Sequence, residues 1–362
     1  MNSADANTPE KAIFDEVSHV VSKPVKPTDV FSDTSFALHA PLELCARYFL
    51  FPLVLEEYRN DALKQMANIQ TRFEKFERIE DSRDRLALSG DTDFGRWSTS
   101  FAYAGHATIL AALAKRIGET NENIVDVLET MNATMAAPDV AKFSWVKIPT
   151  EDLLSTEIVL PIDRSNIPSW FISNVANIYK SNGTSETIAG VVRAAEKEKL
   201  IEPLVTAWLQ SDIDPFDLLH HVFPILLRIA ALSMIVEDAS EAKYGWTHCL
   251  TIPHSHWMLA DNPDTQKELF CSALTYVASY RSLYGKEQID ATDFNDYFDP
   301  DEEAVFTAHY EQMTDIISRA SSLEDAHLIK YVYSCFDIMK RDPHYAKLYI
   351  AAALALLNQW DV

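Results

Sequence analysis

Glycine is scarce in this chain, with only 8 among 362 residues. Tight hairpin turns depend on glycine, because it adopts positive φ angles without strain. Its scarcity therefore disfavours a fold built from β-hairpins and favours helices. The sequence also contains no GxGxxG, P-loop or GxSxG pattern. These motifs are typical of dinucleotide binding, phosphate binding and serine-based hydrolysis, so none of those functions is indicated.

Positive charge is also in short supply, since 31 Lys and Arg residues stand against 54 Asp and Glu, giving a formal net charge of −23. The phosphates of nucleic acids and of anionic lipids would repel such a chain. The longest apolar runs are interrupted by His, Arg or Pro, and none has the pattern of a membrane span. We therefore expect neither a nucleic-acid partner nor a membrane, and solubility explains the acidity.

Cysteine pairs with metal-binding or redox spacing are missing as well. The chain has four cysteines, none of which forms a CxxC pair: Cys45, Cys249, Cys271 and Cys335. All lie in apolar surroundings, where a free thiol packs as a small hydrophobic group. The first residues show no basic segment followed by an apolar one, so no signal peptide is expected. These features predict reduced thiols and a cytoplasmic protein.

Apolar residues make up 48% of the chain and recur mostly at helical spacing. Helices are predicted over residues 36–52, 61–80, 99–116, 120–135, 168–182, 185–199, 200–211, 216–234, 263–284, 301–320 and 322–341, and from 343 onward. A strand is conceivable only near residues 155–161. The predicted fold class is therefore all-α. Residues 31–362 would form a single large multi-helix domain, preceded by a loosely ordered arm over residues 1–30.

Local residue choices mark several helix starts. Asp214 and Asn262 are each followed by proline, the pattern of an N-cap with proline in the first helical position. The segment from Ser322 to Asp325 has the spacing of a capping box, which predicts a helix start at Ser322. Pro224 lies four residues after His220, so it should leave the carbonyl of His220 without its helical hydrogen bond and distort the helix there.

Histidine is the residue that stands out. The stretch from Tyr244 to Trp257 alone carries His248, His254 and His256 in an almost uncharged setting. Buried imidazoles need partners, because an unpaired buried polar group costs free energy. Across the chain five histidines lie in apolar, helical contexts that could face one core: His39, His106, His220, His248 and His327. The sequence thus predicts a buried histidine-rich site, and a metal is one candidate partner.

Four stretches carry a further resemblance: Phe36 to Leu44, Gly105 to Ile109, Gly245 to Pro253, and His327 to Tyr331, with a weaker fifth from Leu219 to Val222. In order and rough spacing they resemble the questin oxidase-like family. The segments Gly-Trp-Thr-His-Cys-Leu-Thr and His-x-Ile-Lys are the most specific. The resemblance implies an all-α, non-haem iron oxygenase with O₂ as co-substrate. Its substrate would be a small aromatic polyketide, such as an anthraquinone or a phenol, attacked by ring cleavage or oxygen insertion.

The resemblance also implies the site residues. The Fe(II) ligands would be His39, His106, His220, His248 and Lys330, with His327 in reserve. Because His220 and His221 are adjacent, the resemblance leaves open which of these two is the ligand. Lys330 could ligate only as a neutral amine or as a carbamate formed with CO₂, because an ammonium has no lone pair. His254 stands where the family usually has an uncharged residue such as Gln. It is expected to take part in catalysis from the pocket wall, together with Trp246.

Other functions also fit the histidines. A non-catalytic helical protein that binds a ligand or partner would have its histidines scattered in space. A zinc hydrolase would also use histidine ligands, although no general-base motif is evident. Three Glu-x-x-His-like motifs that could build a di-iron site end at His19, His220 and His327, a number close to chance for so acidic a chain. The oligomeric state is not predicted.

Overall fold

The computed structural model describes residues 31–75, 164–181 and 188–359, together with residues 109, 112, 113, 116 and 160. Every regular element among these residues is helical, which confirms the predicted all-α fold class. The arm expected over residues 1–30, the helix expected over 120–135 and nearly all of the conceivable strand at 155–161 lie outside the described residues.

From α4 onward the helices follow one another with short connections. The α-helices are α1 (Phe31–Leu50), α2 (Glu56–Phe73), α3 (Ile167–Phe171), α4 (Ile188–Lys197), α5 (Ile201–Leu209), α6 (Pro215–Asp217), α7 (Phe223–Val236), α8 (Ala239–Leu259), α9 (Pro263–Tyr284), α10 (Ala291–Asn295), α11 (Glu302–Ser322), α12 (Ala326–Arg341) and α13 (Ala346–Asn358). Single 3-10 turns cover Phe51–Leu53, Arg164–Asn166 and Pro343–Tyr345, and π-helical turns cover Ile172–Ala176 and Leu218–Val222.

Helix α12 is central to the arrangement. It packs against α1 from the start of the described chain, against α8 from the middle, and against α11 and α13 from the end. Nearly all residues of α12 from Leu328 to Met339 are buried, including the polar Lys330 and Asp337. Apolar side chains from all of these helices share one hydrophobic core. Polar groups on the inner faces of α1, α8 and α12 therefore meet inside the protein.

Helix caps agree with the sequence at two of three positions. Asp214 accepts hydrogen bonds from the backbone N–H groups of Phe216 and Asp217, and Asn262 accepts one from Asp264, as predicted. The start predicted at Ser322 is wrong, because Ser322 is the last residue of α11. The N-cap of α12 is instead Asp325. Its carboxylate accepts from two backbone N–H groups, which stops α11 and α12 from forming one continuous helix.

The predicted distortion around His220 is present as a π-helical turn over Leu218–Val222, just before Pro224. This turn is tied to α8, since the indole Nε1 of Trp257 donates to the carbonyl of Leu219 at 2.9 Å. Pro253 lies inside α8, which continues through it. Proline cannot donate to the carbonyl four residues earlier, so the inner part of α8 lacks one backbone hydrogen bond.

One helical stretch among the described residues, Pro215–Val236, is long and apolar enough to cross a membrane. Length and composition alone give that result, with a mean hydropathy of 1.8. However, 67% of this window is buried inside the fold. Helices at the centre of a large core have the same composition, so burial in this protein explains the apolar character of the stretch.

Candidate metal centre

Three histidines from three helices meet in the interior. His39 on α1, His248 on α8 and His327 on α12 each offer one ring nitrogen, and these nitrogens all lie within 4.8 Å of one another. His39 and His248 are buried, with 8% and 7% of their surface exposed, and the side chain of His327 is 17% exposed. The chain therefore contains a buried histidine triad that could hold a metal ion.

The nitrogen spacing suits a metal. The Nε2 atoms of His39 and His327 are 3.0 Å apart. Two imidazole nitrogens bound to one metal at about 2.0–2.1 Å are about 3.0 Å apart at a right angle and about 3.4 Å apart in a tetrahedron. Without a metal, the same distance requires one ring to donate its N–H to the lone pair of the other. The pair can thus share either a proton or a metal ion.

The third ring turns this pair into a set of three donors. The centroid of the His248 ring lies 5.1 Å from that of His327 and 6.3 Å from that of His39, with both ring pairs close to edge-on. Three imidazoles with convergent nitrogens are a donor set that suits zinc, copper, iron and nickel. The geometry identifies a class of metal and does not distinguish its members.

Arg47 fixes α1 against the segment that leads into α12. Its Nε and Nη2 atoms donate to Oε1 of Glu43 at 2.9 and 2.7 Å, one helical turn back. The same guanidinium donates to the carbonyls of Ser321 and Leu323 at 2.7 Å each. Burial raises the pKa of Glu43, although the charge and hydrogen bond of Arg47 oppose that shift. This buried pair therefore sets how the histidine of α1 meets that of α12.

Asp325 orients the start of α12 and the ring of His327. Its Oδ1 accepts from the backbone N–H groups of His327 and Leu328 at 2.8 and 2.9 Å. The same oxygen lies 3.9 Å from Nδ1 of His327, too far for a direct hydrogen bond but close enough to favour a proton on that nitrogen. A proton on Nδ1 leaves Nε2 as the lone-pair donor, which is the atom that faces His39.

A small cavity lies between α8 and α12. It has a volume of about 10 Å³, room for one water-sized group. Its polar wall includes Thr251, His254, Lys330, Tyr333 and Ser334, and its apolar wall includes Ile109 and Leu113. Lys330 follows His327 by three residues on α12, so the cavity begins one helical turn after His327.

Lys330 is 3% exposed, and its Nζ has no hydrogen-bond partner in the part of the chain that the structure describes. Burial lowers the pKa of Lys330 to about 7, against the attraction of Glu43 and Asp325. Much of this amine is therefore neutral near pH 7. A neutral amine has the lone pair that metal ligation or reaction with CO₂ requires.

The structure adds no other expected histidine to this group. His106 is outside the described residues. His220 is exposed on the π-helical turn, with its ring 4.3 Å from that of Phe216, and is not part of the described histidine group. His221 is also exposed and lies 3.9 Å from a carboxylate oxygen of Asp217. The metal donors that the structure brings together are therefore His39, His248 and His327. His327, which was expected only as a reserve ligand, is one of the three donors.

The two residues expected to take part in catalysis are both buried but occupy different environments. His254 lines the cavity beside Lys330. Trp246 lies in the core against Tyr280 and Tyr284, with the guanidinium of Arg281 6.0 Å from its ring. It is not among the residues that line the cavity. The structure thus places His254 in the wall of the cavity that Lys330 also lines, whereas Trp246 contributes to packing of α8 on α9.

Sequence analysis missed the charged residues near the triad, Glu43, Arg47 and Asp325, and also Asp337, which pairs with His254. Helical spacing could have found Glu43, which lies one turn after His39. Asp325 could have been found as an N-cap, because it stands directly before an apolar helix start. Nothing local distinguishes Asp337 from the many other acidic residues, since its partners come from distant segments.

Comparison with known proteins leaves this geometry as the main guide to function, because no protein-family model, no curated protein and no solved structure matches the chain.

Proposed function

We propose that the protein is a non-haem iron-dependent oxygenase that acts on a small aromatic, phenolic substrate. The observation that carries this proposal is the convergence of the ring nitrogens of His39, His248 and His327 within 4.8 Å. Three neutral imidazoles can hold Fe(II) and leave coordination positions open. The resemblance of four stretches to the questin oxidase-like family supports iron over other metals and an aromatic substrate over other classes.

Lys330 is the proposed fourth donor. Three imidazoles are neutral, so an anionic oxygen donor would complete the set and offset the charge of the metal. A carbamate on Lys330 would supply that oxygen, and the neutral amine is the alternative donor. The lowered pKa of about 7 supports both forms, because each requires an uncharged amine. Bound iron would supply the activation of O₂, while the protein residues bind the metal and orient the substrate.

Tyr244 is the proposed contact for the aromatic ring of the substrate. It lies on α8 one turn before His248, is 50% exposed, and its ring centroid is 4.4 Å from that of His327. An exposed tyrosine face next to the triad offers an offset-stacking surface for a flat ring system. The four cysteines are free and buried, which agrees with the proposed cytoplasmic location.

The metal content of purified protein tests this proposal. We expect about one iron per chain, and we expect His39→Ala, His248→Ala and His327→Ala each to lose most of it, because each removes one of three donors. His344→Ala is the matched control, since Nδ1 of that ring donates to the backbone carbonyl of Asp299, away from the triad. Retention of iron by all three triad variants would contradict the site.

A second candidate, a zinc hydrolase, is favoured by one observation. Three histidines with an open fourth position are also the donor set of catalytic zinc sites. Zinc in place of iron, with hydrolysis of aryl ester probes that is lost in His248→Ala, would support this function. A protein that takes up neither iron nor zinc would instead favour a non-catalytic helical binding protein.

A further inference from the structure

Positive charge gathers at the C-terminal end of α12, although acidic residues predominate in the chain, with 54 Asp and Glu against 31 Lys and Arg. Asp337 is the centre of this group. Its Oδ1 is 2.7 Å from Nη1 of Arg116, and its Oδ2 is 3.0 Å from Nε of Arg341. Asp337 is buried, whereas the side chains of Arg116 and Arg341 are 26% and 40% exposed, and Lys340 is exposed beside them. We call Arg116, Lys340 and Arg341 the cationic cluster.

The cationic cluster has more positive charge than Asp337 can balance. Three cations and one carboxylate leave two positive charges uncompensated among these groups. His254, which also bonds to Asp337 at 3.0 Å, adds no charge near pH 7, because burial lowers its pKa. Burial and the charge of Arg116 lower the pKa of Lys340, and the attraction of Asp337 opposes that shift without cancelling it. The negative end of the α12 dipole offsets only about half a charge, so an excess remains.

Aromatic rings hold the cationic cluster in place. Each cation lies over a ring from one of the three helices that supply the triad: Arg116 over Phe49 of α1 at 5.8 Å, Arg341 over Trp257 of α8 at 5.6 Å, and Lys340 over Phe336 of α12 at 5.0 Å. The face of an aromatic ring attracts a cation, so these contacts restrict the side chains before any ligand arrives. Side chains ordered in advance lose less entropy on binding, and the cluster is therefore a preorganised site.

The cluster also has hydrogen-bond donors to spare. A guanidinium group carries five N–H donors, and an ammonium group carries three. In the part of the chain that the structure describes, Asp337 is the ion-pair partner of both arginines, and Lys340 has no ion-pair partner. The remaining N–H groups of Arg116 and Arg341, together with Nζ of Lys340, are therefore available to an incoming acceptor.

A small dianion is the ligand that matches these features. A phosphate monoester carries a charge of about −1.5 to −2 at pH 7, which balances the two uncompensated positive charges. Its oxygens accept N–H groups from guanidinium in pairs. A nucleic acid or an anionic membrane would instead meet the net charge of −23 of the whole chain and be repelled. The ligand is therefore a small molecule.

We propose that the cationic cluster binds the phosphate group of a small molecule, either free phosphate or a phosphate ester. The site is distinct from the triad, because Asp337 follows His327 by ten residues, about 15 Å along α12. It is therefore independent of the function proposed for the histidines. One helix thus carries a candidate metal centre at its start and an anion site at its end.

Calorimetric titration of the full-length protein with inorganic phosphate tests this site. We expect one saturable event per chain in about 0.1 M sodium chloride, where charge attraction is screened beyond about 10 Å. Lys340→Gln and Arg341→Gln should each weaken binding at least about tenfold, because each removes a charged hydrogen-bond donor. Phenyl phosphate, titrated in the same way, identifies the source: tighter binding than that of inorganic phosphate indicates an ester, and weaker binding indicates the free ion.

Lys64→Gln is the matched control, because it removes the same charge from an exposed position on α2. It should change the phosphate affinity by less than about twofold, since its effect acts only through screened long-range attraction. Phosphate also binds metal ions, so His248→Ala is titrated as well. That variant removes a donor of the triad and should leave the affinity unchanged. Circular dichroism verifies that each variant is folded.

The proposal fails if the wild-type protein shows no saturable binding, or if Lys340→Gln and Arg341→Gln both keep the wild-type affinity. A loss as large in Lys64→Gln as in Lys340→Gln would also overturn it, because net charge alone would then explain the binding. Loss of binding in His248→Ala would assign the phosphate to the metal centre instead. Metal content measured on the same samples keeps this result separate from the outcome for the triad.

Discussion

Replacing Lys330 with methionine should stabilise the protein, and by an amount that depends on pH. The amine is fully buried and its Nζ has no hydrogen-bond partner among the described residues. Burial lowers its pKa to about 7, from an ordinary value of about 10.4. Each tenfold loss of proton affinity corresponds to ~1.36 kcal/mol, so a protonated Lys330 destabilises the native state by about 5 kcal/mol.

The sign of the pH dependence follows from proton counts. Between about pH 7 and pH 10.4 the unfolded chain keeps the Lys330 proton while the native state has lost it, so wild-type stability rises with pH in that window. Methionine has no proton to lose. The advantage of Lys330→Met should therefore be about 5 kcal/mol near pH 6 and about 2 kcal/mol near pH 9. The difference of about 3 kcal/mol isolates the charge, because any change in packing cancels between the two pH values.

The assay is denaturant-induced unfolding followed by circular dichroism, with metal removed by a chelator and CO₂ excluded from the buffers. Lys64→Met, on the exposed side of α2, is the control whose effect should not change between the two pH values. If Lys330→Met raises the free energy of unfolding by the same amount near pH 6 and near pH 9, the native state does not disfavour the protonated form of Lys330. Lys330 would then not be the uncharged donor proposed for the metal.

Three further changes test the surroundings of the triad. Arg47→Met should destabilise the protein by about 3–5 kcal/mol in denaturant unfolding, because Glu43 stays buried without its partner; Arg59→Met, at an exposed ion pair, should cost less than about 1 kcal/mol. Asp325→Ala should cost about 1 kcal/mol through loss of the N-cap and weaken metal binding in a calorimetric titration, while Asp325→Asn keeps the cap and should weaken only the metal. Burial lowers the pKa of His256 to about 4. As the pH falls below about 6.5, His256 is therefore protonated in the unfolded chain before it is protonated in the native protein. The native protein loses about 3 kcal/mol of stability by pH 4 for this reason. His256→Gln should remove this part of the loss, and an unchanged acid-unfolding profile would contradict it.

Helical periodicity predicted most of the described fold. The apolar spacing indicated the long helices α1, α7, α9 and α12, and proline after a capping residue marked the starts at Asp214 and Asn262. The error at Ser322 has a local cause. The segment satisfies a capping-box pattern, but α11 extends to Ser322 and the carboxylate of Asp325 captures the next free N–H groups. Two competing caps three residues apart cannot be ranked from sequence alone.

The site was predictable only in part. Apolar context identified His39, His248 and His327, because a histidine on a buried helix face needs a partner. The same reasoning also selected His220, which a π-helical turn leaves exposed. A π-helical turn shifts the helix by one residue, and this shift decides whether the His220 side chain faces the core or the solvent. The local sequence does not determine whether the shift occurs. The pairing of His254 with Asp337 spans 83 residues and depends on how α8 packs on α12.

His39 and His327 are separated by 288 positions, yet their Nε2 atoms are 3.0 Å apart. One ligand is therefore synthesised 288 residues before the other. Closing so long a loop has a conformational cost that grows with the logarithm of its length. The three-donor site can form only once α12 has packed against α1 and α8. Metal bound by all three histidines would then report the packing of these three helices.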